Sequence, residues 1–325
     1  MQDEKDFILF ENYKKEKATY KMKAFKNYYC DAIACAIGEF VDYDEISLDK
    51  FSQEELKVLC EYAVIKNKMA GVGELFLKVP NFMYGIDAMD KLGVKGYEII
   101  SASLMDKIPT KALIGQRLIL EIESLLDYND DFLNELSFCL AKTKLPIIIN
   151  LGQDLEEVGK LVNKFSKSPA QILEDYGFLD CECFIKGLNF IDKDDQKILK
   201  DYNATCIFSP RSDGEEGKGA INLYNFIYNE IKFGFSSGKC YNIDMLGEVK
   251  LALTNTSNLM FDANLLNIQD LLDALSTEEG MIEIDFDQDA KKSTLLDKRV
   301  EIKDEHYLNL RTQVKEIIKN LKEKN

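Results

Sequence analysis

Histidine is nearly absent from this chain of 325 residues, in which His306 is the only one. A metal site built from several histidines is therefore excluded. Long apolar runs are lacking too. The longest, such as residues 145–149, have the length of a strand, far short of the roughly 20 residues of a membrane-spanning helix. The first residues are acidic and polar, unlike a secretory signal. These absences predict a cytoplasmic protein without a membrane partner.

Closely spaced cysteine pairs are also missing. The chain has eight cysteines, and no two of them form a CxxC motif. In a reducing compartment we expect them to be small residues of the core. Cys181 and Cys183 would face the same side of a strand, so a site for a soft metal is the alternative for this pair.

An excess of positive charge is absent as well. The chain carries 41 basic and 57 acidic residues, a formal net charge of −16. Such a charge repels phosphate backbones and anionic lipid surfaces. We therefore expect neither a nucleic acid nor a membrane as a partner.

Strand-length apolar segments alternate with helical segments from about residue 54 onwards. Helical spacing of apolar residues marks 54–69, 131–142, 154–165 and 193–202. The strand candidates are 75–77, 97–100, 117–122, 146–151, 183–188, 204–208 and 231–235. This alternation predicts a parallel sheet wrapped by helices, and seven or eight such units match an α/β barrel.

The two ends of the chain differ from this middle part. Residues 1–30 are rich in Lys and Tyr, and residues 281–304 are highly charged. Residues 303–323 form one apolar helical face that includes Leu310, Val314 and Ile318. We expect this helix to pack on the barrel, and the alternative is that it binds a partner.

Several motifs, in order along the chain, carry a resemblance to a known family. Residues 184–192 read FIKGLNFID, residues 207–213 contain Pro-Arg-Ser, and residues 217–219 read GKG. Together they resemble the amidohydrolase superfamily, and more narrowly its nucleoside and chlorohydrolase-type deaminase branch. In that branch a strand ending in Ala-His-Gly precedes a Cys-Pro-Arg-Ser-Asn loop and a Leu-Gly-Ser-Gly turn. Residues 233–237 then take the place of the family's Gly-Thr-Asp-Ser strand end.

The resemblance implies an α/β fold, a (β/α)8 TIM barrel of amidohydrolase type with a reduced or absent accessory β-sandwich. We place the barrel at residues 36–302. Residues 1–35 are then an N-terminal extension, a remnant of the accessory β region, and residues 303–325 a C-terminal amphipathic helix.

Members of the family bind divalent metal through four histidines and an aspartate at strand ends. The His-x-His end of the first strand is best matched by residues 40–46, which puts Asp44 and Ile46 at the ligand positions. The third histidine matches Asn150, the fourth matches Lys186, and the aspartate matches Ser236. This donor set predicts no metal and no other cofactor.

The general acid/base of the family is also replaced, because the glutamate of its His-x-x-Glu motif corresponds to Gln153. An amide cannot relay protons.

Lys186 has two interpretations. It could act as a nucleophile or anion-binding group, or its ammonium could replace the lost metal charge by pairing with Asp44. The second is favoured because no other catalytic group is evident beside Lys186.

Arg211 could bind a carboxylate or phosphate through a bidentate contact, or it could close its own loop by pairing locally.

The resulting hypothesis is a catalytically degenerate amidohydrolase-like protein that binds a small polar ligand or a protein partner. The alternative is an active hydrolase or deaminase acting on a C–N bond, either with divergent metal ligands or without metal through Lys186. The candidate ligand-binding residues are Asp44, Asn150, Gln153, Lys186, Arg211 and Ser236.

Overall fold

The computed structural model of the protein describes residues 19–41, 50–80, 83–107, 113, 115–285, 293–295 and 304–323. Within these residues one sheet has the strand order β10-β9-β1-β2-β3-β4-β5-β6-β7-β8. The strands are β1 (Thr19–Asp31), β2 (Val72–Lys78), β3 (Lys95–Ser101), β4 (Leu118–Ile122), β5 (Ile147–Leu151), β6 (Cys183–Gly187), β7 (Thr205–Phe208), β8 (Phe233–Phe235), β9 (Ser276–Asp285) and β10 (Ser293–Leu295).

Strands β1 to β8 are all parallel and lie in the order of the sequence. Helices connect them, as parallel pairing requires. The α-helices of the described residues are α1 (Ala32–Ile37), α2 (Gln53–Met69), α3 (Tyr84–Leu92), α4 (Asp130–Thr143), α5 (Leu155–Phe165), α6 (Pro169–Asp175), α7 (Lys193–Asp201), α8 (Pro210–Glu215), α9 (Leu223–Tyr228), α10 (Met245–Met260), α11 (Ile268–Leu275) and α12 (Asp304–Glu323).

Local sequence signals explain where several helices begin. Ser52 and Glu55 form a reciprocal capping box at the start of α2. Asp192 caps α7 by accepting hydrogen bonds from the backbone N–H groups of Asp194 and Asp195. The predicted strands and helices from residue 54 to residue 235 are confirmed, with boundaries shifted by a few residues.

Side chains of the parallel strands alternate between two apolar layers. One face packs against the helices in a large core. The other face encloses a smaller cluster inside the curled sheet, to which each strand from β1 to β7 contributes: Tyr28 and Tyr29, Phe76, Ile99, Ile119, Ile148, Phe184 and Ile207. Because a strand has a side-chain period of two, this inner cluster fixes which side chains point inward further along each strand.

The two outer strands of the parallel set, β1 and β8, approach each other at their carboxyl ends. Asp31 donates its backbone N–H to the carbonyl of Gly238 at 3.0 Å, and Gly238 donates its N–H to the carbonyl of Tyr29 at 3.0 Å. The buried Asn27 side chain donates to Ser237 Oγ at 2.8 Å and accepts from the Ser237 backbone N–H at 3.0 Å. These hydrogen bonds bridge the two strand ends.

The first strand of the described sheet is β1, Thr19–Asp31, and it lies inside the segment 1–35 predicted as an N-terminal extension. The strand end predicted at residues 40–46 falls mostly outside the described residues. The polar composition of β1 concealed it, because its first half pairs with the charged strand β9 and Lys26 pairs with Glu74 at 2.8 Å. The strand order also makes β9 and β10 a small antiparallel addition at the edge of the parallel set.

The C-terminal helix α12 packs against α2, as expected. Its apolar face is buried, and the rings of Tyr307 and Tyr62 stack with centroids 5.6 Å apart. His306 lies 3.0 Å from a carboxylate oxygen of Glu61, and Arg311 pairs with Glu39. Among the described helices none combines the length and the hydropathy needed to cross a bilayer.

Candidate functional site

A polar layer lies directly above the apolar cluster inside the curled sheet. In β2 to β7, two residues after the inward apolar side chain, the same strand or its end presents a polar one: Lys78, Ser101, Glu121, Asn150, Lys186 and Ser209. All of these positions are at the carboxyl ends of parallel strands. In α/β folds this edge is where binding and catalytic groups gather.

An ion-paired triad stands at the centre of this layer. The carboxylate of Glu121 is completely buried; Lys186 Nζ donates to its Oε1 at 2.6 Å and Lys78 Nζ lies 2.9 Å from its Oε2. The two lysine side chains are 19% and 20% exposed, respectively. Lys78 also pairs with Glu123 at the rim.

Burial and charge oppose each other in this triad. Burial works against ionisation of Glu121, but the ammonium groups of Lys186 and Lys78 outweigh it and lower the pKa of the carboxyl to about 2. Burial lowers the pKa of Lys186 from its ordinary value, and the neighbouring charges of Lys78 and Lys218 act in the same direction, whereas Glu121 raises it. Glu121 is therefore a carboxylate throughout the physiological range.

The end of β1 completes the floor of the site. Lys186 Nζ lies 3.9 Å from the centroid of the Tyr29 ring, a cation–π contact. Asp31 is almost fully buried and caps α1, accepting from the N–H groups of Ile33 and Ala34 at 3.0 and 2.9 Å. Burial raises the pKa of Asp31 from its usual value. Tyr29 and Asp31 lie at the carboxyl end of the first described strand, the place for which the family resemblance suggested Asp44 and Ile46.

A polar cavity of about 580 Å³ opens above this floor. Its lining is charged on most sides and includes Tyr29, Lys78, Glu123, Ser124, Leu126, Asp127, Asn150, Gln153, Asp154, Glu156, Glu157, Lys160, Lys186, Glu216, Lys218 and Lys239. A cavity of this size fits a small molecule, and its polar lining suits a hydrophilic one.

The predicted pair of amides lies in the cavity wall. Asn150 Nδ2 donates to Gln153 Oε1 at 2.6 Å, so the two side chains bind each other. The backbone N–H of Gln153 donates to Glu157 Oε2 at 2.9 Å. Burial raises the pKa of Glu157, and Asp154 adds to this effect, while the hydrogen bond from Gln153 lowers it. The carboxyl group of Glu157 thus lies beside Gln153, the residue that replaces the glutamate of the family motif.

The structure brings together only some of the predicted site residues. Asn150, Gln153 and Lys186 line the cavity, whereas Arg211 and Ser236 do not. Arg211 donates its backbone N–H to the buried Glu248 and its Nη1 to the carbonyl of Asn242, both at 2.9 Å. The loop-closing interpretation of Arg211 is the one its contacts match.

Ser236 is fully buried, and its hydroxyl is 2.5 Å from that of Ser209. Asp44 and Ile46 lie outside the described residues, so the predicted pair between Lys186 and Asp44 stays a prediction. The partner that the structure gives Lys186 is Glu121.

The side chains at the described strand ends do not suit the divalent metal that is bound by the family this sequence resembles. They present the ammonium of Lys186, the amide of Asn150 and the hydroxyl of Ser236 where the family has two histidines and an aspartate. In the part of the chain that the structure describes, no three Cys, His, Asp or Glu side chains are grouped so as to hold a metal. A cation beside Lys186 and Lys78 would be repelled by both ammonium groups.

Sequence reasoning missed Tyr29, Lys78 and Glu121. A signal for Glu121 exists, since it is the one charged residue of the apolar strand β4, whose five residues are all buried. Lys78 similarly ends the apolar strand β2. A period of two from the inward Phe76, Ile119 and Phe184 places Lys78, Glu121 and Lys186 on one face.

No family model matches this chain. A curated relative, the 5-methylthioadenosine/S-adenosylhomocysteine deaminase of Thermococcus kodakarensis, is 29% identical over 109 residues, 33% of this chain and 26% of that protein. The deaminase of the same name from Carboxydothermus hydrogenoformans is 22% identical over 125 residues, 38% of this chain and 29% of the relative. The matches therefore span about a quarter of the length of these curated relatives.

Similarity to solved structures covers far more of the chain. An adenosine deaminase from Xanthomonas campestris with bound zinc matches with a TM-score of 0.74 and 12% identity, covering 93% of this chain and 86% of that one. The triazine hydrolase from Arthrobacter aurescens matches with a TM-score of 0.73 and 12% identity, covering 91% and 88%. At these identities the similarity concerns the fold alone. The predicted resemblance to deaminases is confirmed in sequence over about a third of the chain, and the similarity in fold extends over about nine-tenths of it.

Proposed function

We propose that this protein binds a small polar ligand in the strand-end cavity and does not carry out the metal-dependent hydrolysis of the family it resembles. The observation that supports this most is the contact between Lys186 and the buried Glu121 at 2.6 Å. It puts a fixed ammonium group at the position that matches a metal-binding histidine of the family. The site thereby keeps a positive charge without an ion.

Two features argue against metal-dependent hydrolysis of the kind that the resembled family carries out. Metal-assisted hydrolysis needs an ion that lowers the pKa of bound water, and the described strand ends offer no suitable donor set. It also needs a group that relays protons, and the matching position carries the amide of Gln153, already bound to Asn150. Ligand binding needs neither of these.

The geometry also argues against Lys186 as a Schiff-base nucleophile. Such a lysine must lose its proton, and burial does lower the pKa of Lys186. However, deprotonation would leave the buried Glu121 paired only with Lys78, at a cost in electrostatic energy. The charge-replacing role of Lys186 is therefore the one we propose, with Glu121 as its partner.

A second candidate function is hydrolytic deamination at a C–N bond. The sequence similarity to 5-methylthioadenosine/S-adenosylhomocysteine deaminases favours it. Glu157, which faces the cavity with a raised pKa, could then serve as the proton-transferring group that Gln153 cannot be. The reaction would add water to the carbon of an amidine and release ammonia.

An ammonia-release assay separates the two candidates. We expect no release above the uncatalysed rate from adenosine, 5-methylthioadenosine or S-adenosylhomocysteine, with or without added Zn²⁺ or Mn²⁺. Robust turnover that is lost in the Lys186→Ala variant or with a chelator would establish the second candidate. A thermal-shift screen of nucleosides, purines and carboxylic acids, run in parallel, should instead yield a stabilising ligand.

We further propose that the eight parallel strands close into a (β/α)8 barrel, supported by the hydrogen bonds between Tyr29, Asp31 and Gly238. An experimental structure in which these bonds are absent would contradict closure. On this proposal the barrel includes β1 and ends before α12, residues 303–325 being an appended helix. The proposed setting is cytoplasmic, with a small molecule rather than nucleic acid as the partner, in keeping with the net charge of −16.

A further inference from the structure

Helix α5, which forms one wall of the strand-end cavity, is packed more loosely than the helices before and after it. All eleven of its residues are described, and Leu161 is the one that is buried. In comparison, α4 buries five of its fourteen residues and α6 buries four of its seven. Because α5 has so little buried surface, few apolar contacts resist its displacement.

Apolar side chains that a firmly packed helix would bury face solvent on α5. Leu155 is 69% exposed and Val162 is 43% exposed. A cavity of about 270 Å³ lies where the end of α5 meets α6, and its lining includes Phe165, Ile172 and Tyr176. Since protein interiors are otherwise close-packed, this space leaves the helix room to shift.

A residue in the left-handed backbone conformation stands on each side of α5. Gly152 precedes the helix with a φ of +64°, and Ser166 follows it with a φ of +56°. Regular structure stops at such residues. The helix can therefore turn about these two points without breaking the hydrogen bonds of β5 or of α6.

Polar contacts hold both ends of this segment against the body of the protein. At its start, Gln153 Oε1 accepts a hydrogen bond from Asn150 of β5 at 2.6 Å. Near its end, Lys164 Nζ donates to the carbonyl of Tyr128 at 2.7 Å. Lys164 is exposed, so solvent competes for its ammonium group and the contact can break and re-form.

We infer that α5 is a movable wall of the strand-end cavity, which swings about Gly152 and Ser166 and is held closed by the contact between Lys164 and Tyr128. Residues 153–160 supply five of the sixteen residues that line the cavity, so displacement of α5 widens its opening. The motion would admit and release a small molecule. The inference rests on the proposed function only in taking this cavity as the binding site.

Hydrogen exchange of the full chain at pH 7, followed by mass spectrometry of peptic fragments, tests the motion without any ligand. An isolated helix of eleven residues is marginal in water, so α5 should lose backbone hydrogen bonds whenever it leaves the body. We expect its amides to exchange about a hundredfold faster than those of α4. Equal protection of the two helices would overturn the inference.

A pair of substitutions on α5 tests the role of Lys164. Lys164→Met removes the contact with Tyr128, and it should speed the exchange of α5 about fivefold while α4 keeps its rate. Lys160→Met is the matched control, because Lys160 pairs with Glu156 of the same helix. Unchanged exchange in Lys164→Met, or equal acceleration in Lys160→Met, would contradict this role.

Removing the buried anchor of α5 separates local motion from a general loss of stability. Leu161→Ala should speed exchange in α5 and leave the urea midpoint of the whole chain nearly unchanged, because the helix opens on its own. The matched change in α4, Leu136→Ala, should lower that midpoint clearly, since Leu136 is fully buried in the large core. Equal falls in the midpoint for the two variants would show that α5 is not a separate moving unit.

These outcomes can be told apart from those that test the proposed function. Slow exchange of α5 refutes the movable wall, although the cavity can still bind a compound in the thermal-shift screen. If that screen yields no ligand, the proposed function fails, whereas fast exchange confined to α5 would still support the movable wall.

Discussion

Replacing Lys186 by methionine should lower the free energy of unfolding by about 3 kcal/mol, because it leaves the buried carboxylate of Glu121 with one ammonium partner instead of two. Methionine fills a similar volume, so the loss reports charge rather than packing. Urea denaturation at pH 7, read by far-UV circular dichroism, measures the difference.

A second substitution identifies the cause. Adding Glu121→Gln to Lys186→Met removes the stranded charge, and we expect it to restore a good part of the lost stability. Lys197→Met, on the exposed face of α7, is the matched control and should change stability little. If Lys186→Met were as stable as the parent protein, the pairing of Lys186 with Glu121 would be refuted.

The stability of the protein should fall as pH rises from about 5 to 8 because of Glu248. This carboxyl is fully buried in α10, and burial raises its pKa from 4.5 to about 8, although the backbone N–H and charge of Arg211 oppose the shift. Between these two pKa values the folded chain holds a proton that the unfolded chain has released. Rising pH therefore favours unfolding, by about 4 kcal/mol at pH 8 from this group.

The isosteric variant Glu248→Gln tests this directly. It cannot ionise, so it should be more stable than the parent protein at pH 8 and show little gain at pH 5. Chemical denaturation at both pH values measures the gain, and Glu54→Gln, at an exposed site on α2, serves as the control with little change at either pH. A gain of equal size at pH 5 and pH 8 would mean that ionisation of Glu248 is not the cause.

The sequence allowed most of the parallel strands to be located, because strands buried on both faces read as continuous apolar runs. Residues 146–151 and 183–188 are of this kind and correspond to β5 and β6. Strand β1 was missed for the opposite reason. It is rich in lysine and tyrosine, and its partners in the sheet, β2 and β9, supply the compensating charges from 48 and 255 residues away along the chain.

The candidate site was predictable in part. Asn150, Gln153 and Lys186 were identified from their places in family motifs, and all three line the cavity. The partner of Lys186 could not be found in that way, because Glu121 matches no motif and lies 65 residues earlier in the chain. Arg211 has the chemistry of an anion-binding residue, but only the structure shows that Glu248 and Asn242 engage it.

The central claim is that a fixed ammonium group, not a divalent ion, supplies the positive charge at the strand ends. Elemental analysis of protein purified without chelator and passed through gel filtration tests this most directly. The account predicts zinc, iron and manganese far below one ion per chain. About one tightly held transition-metal ion per chain would contradict it, and the cysteines would then be the first ligands to examine.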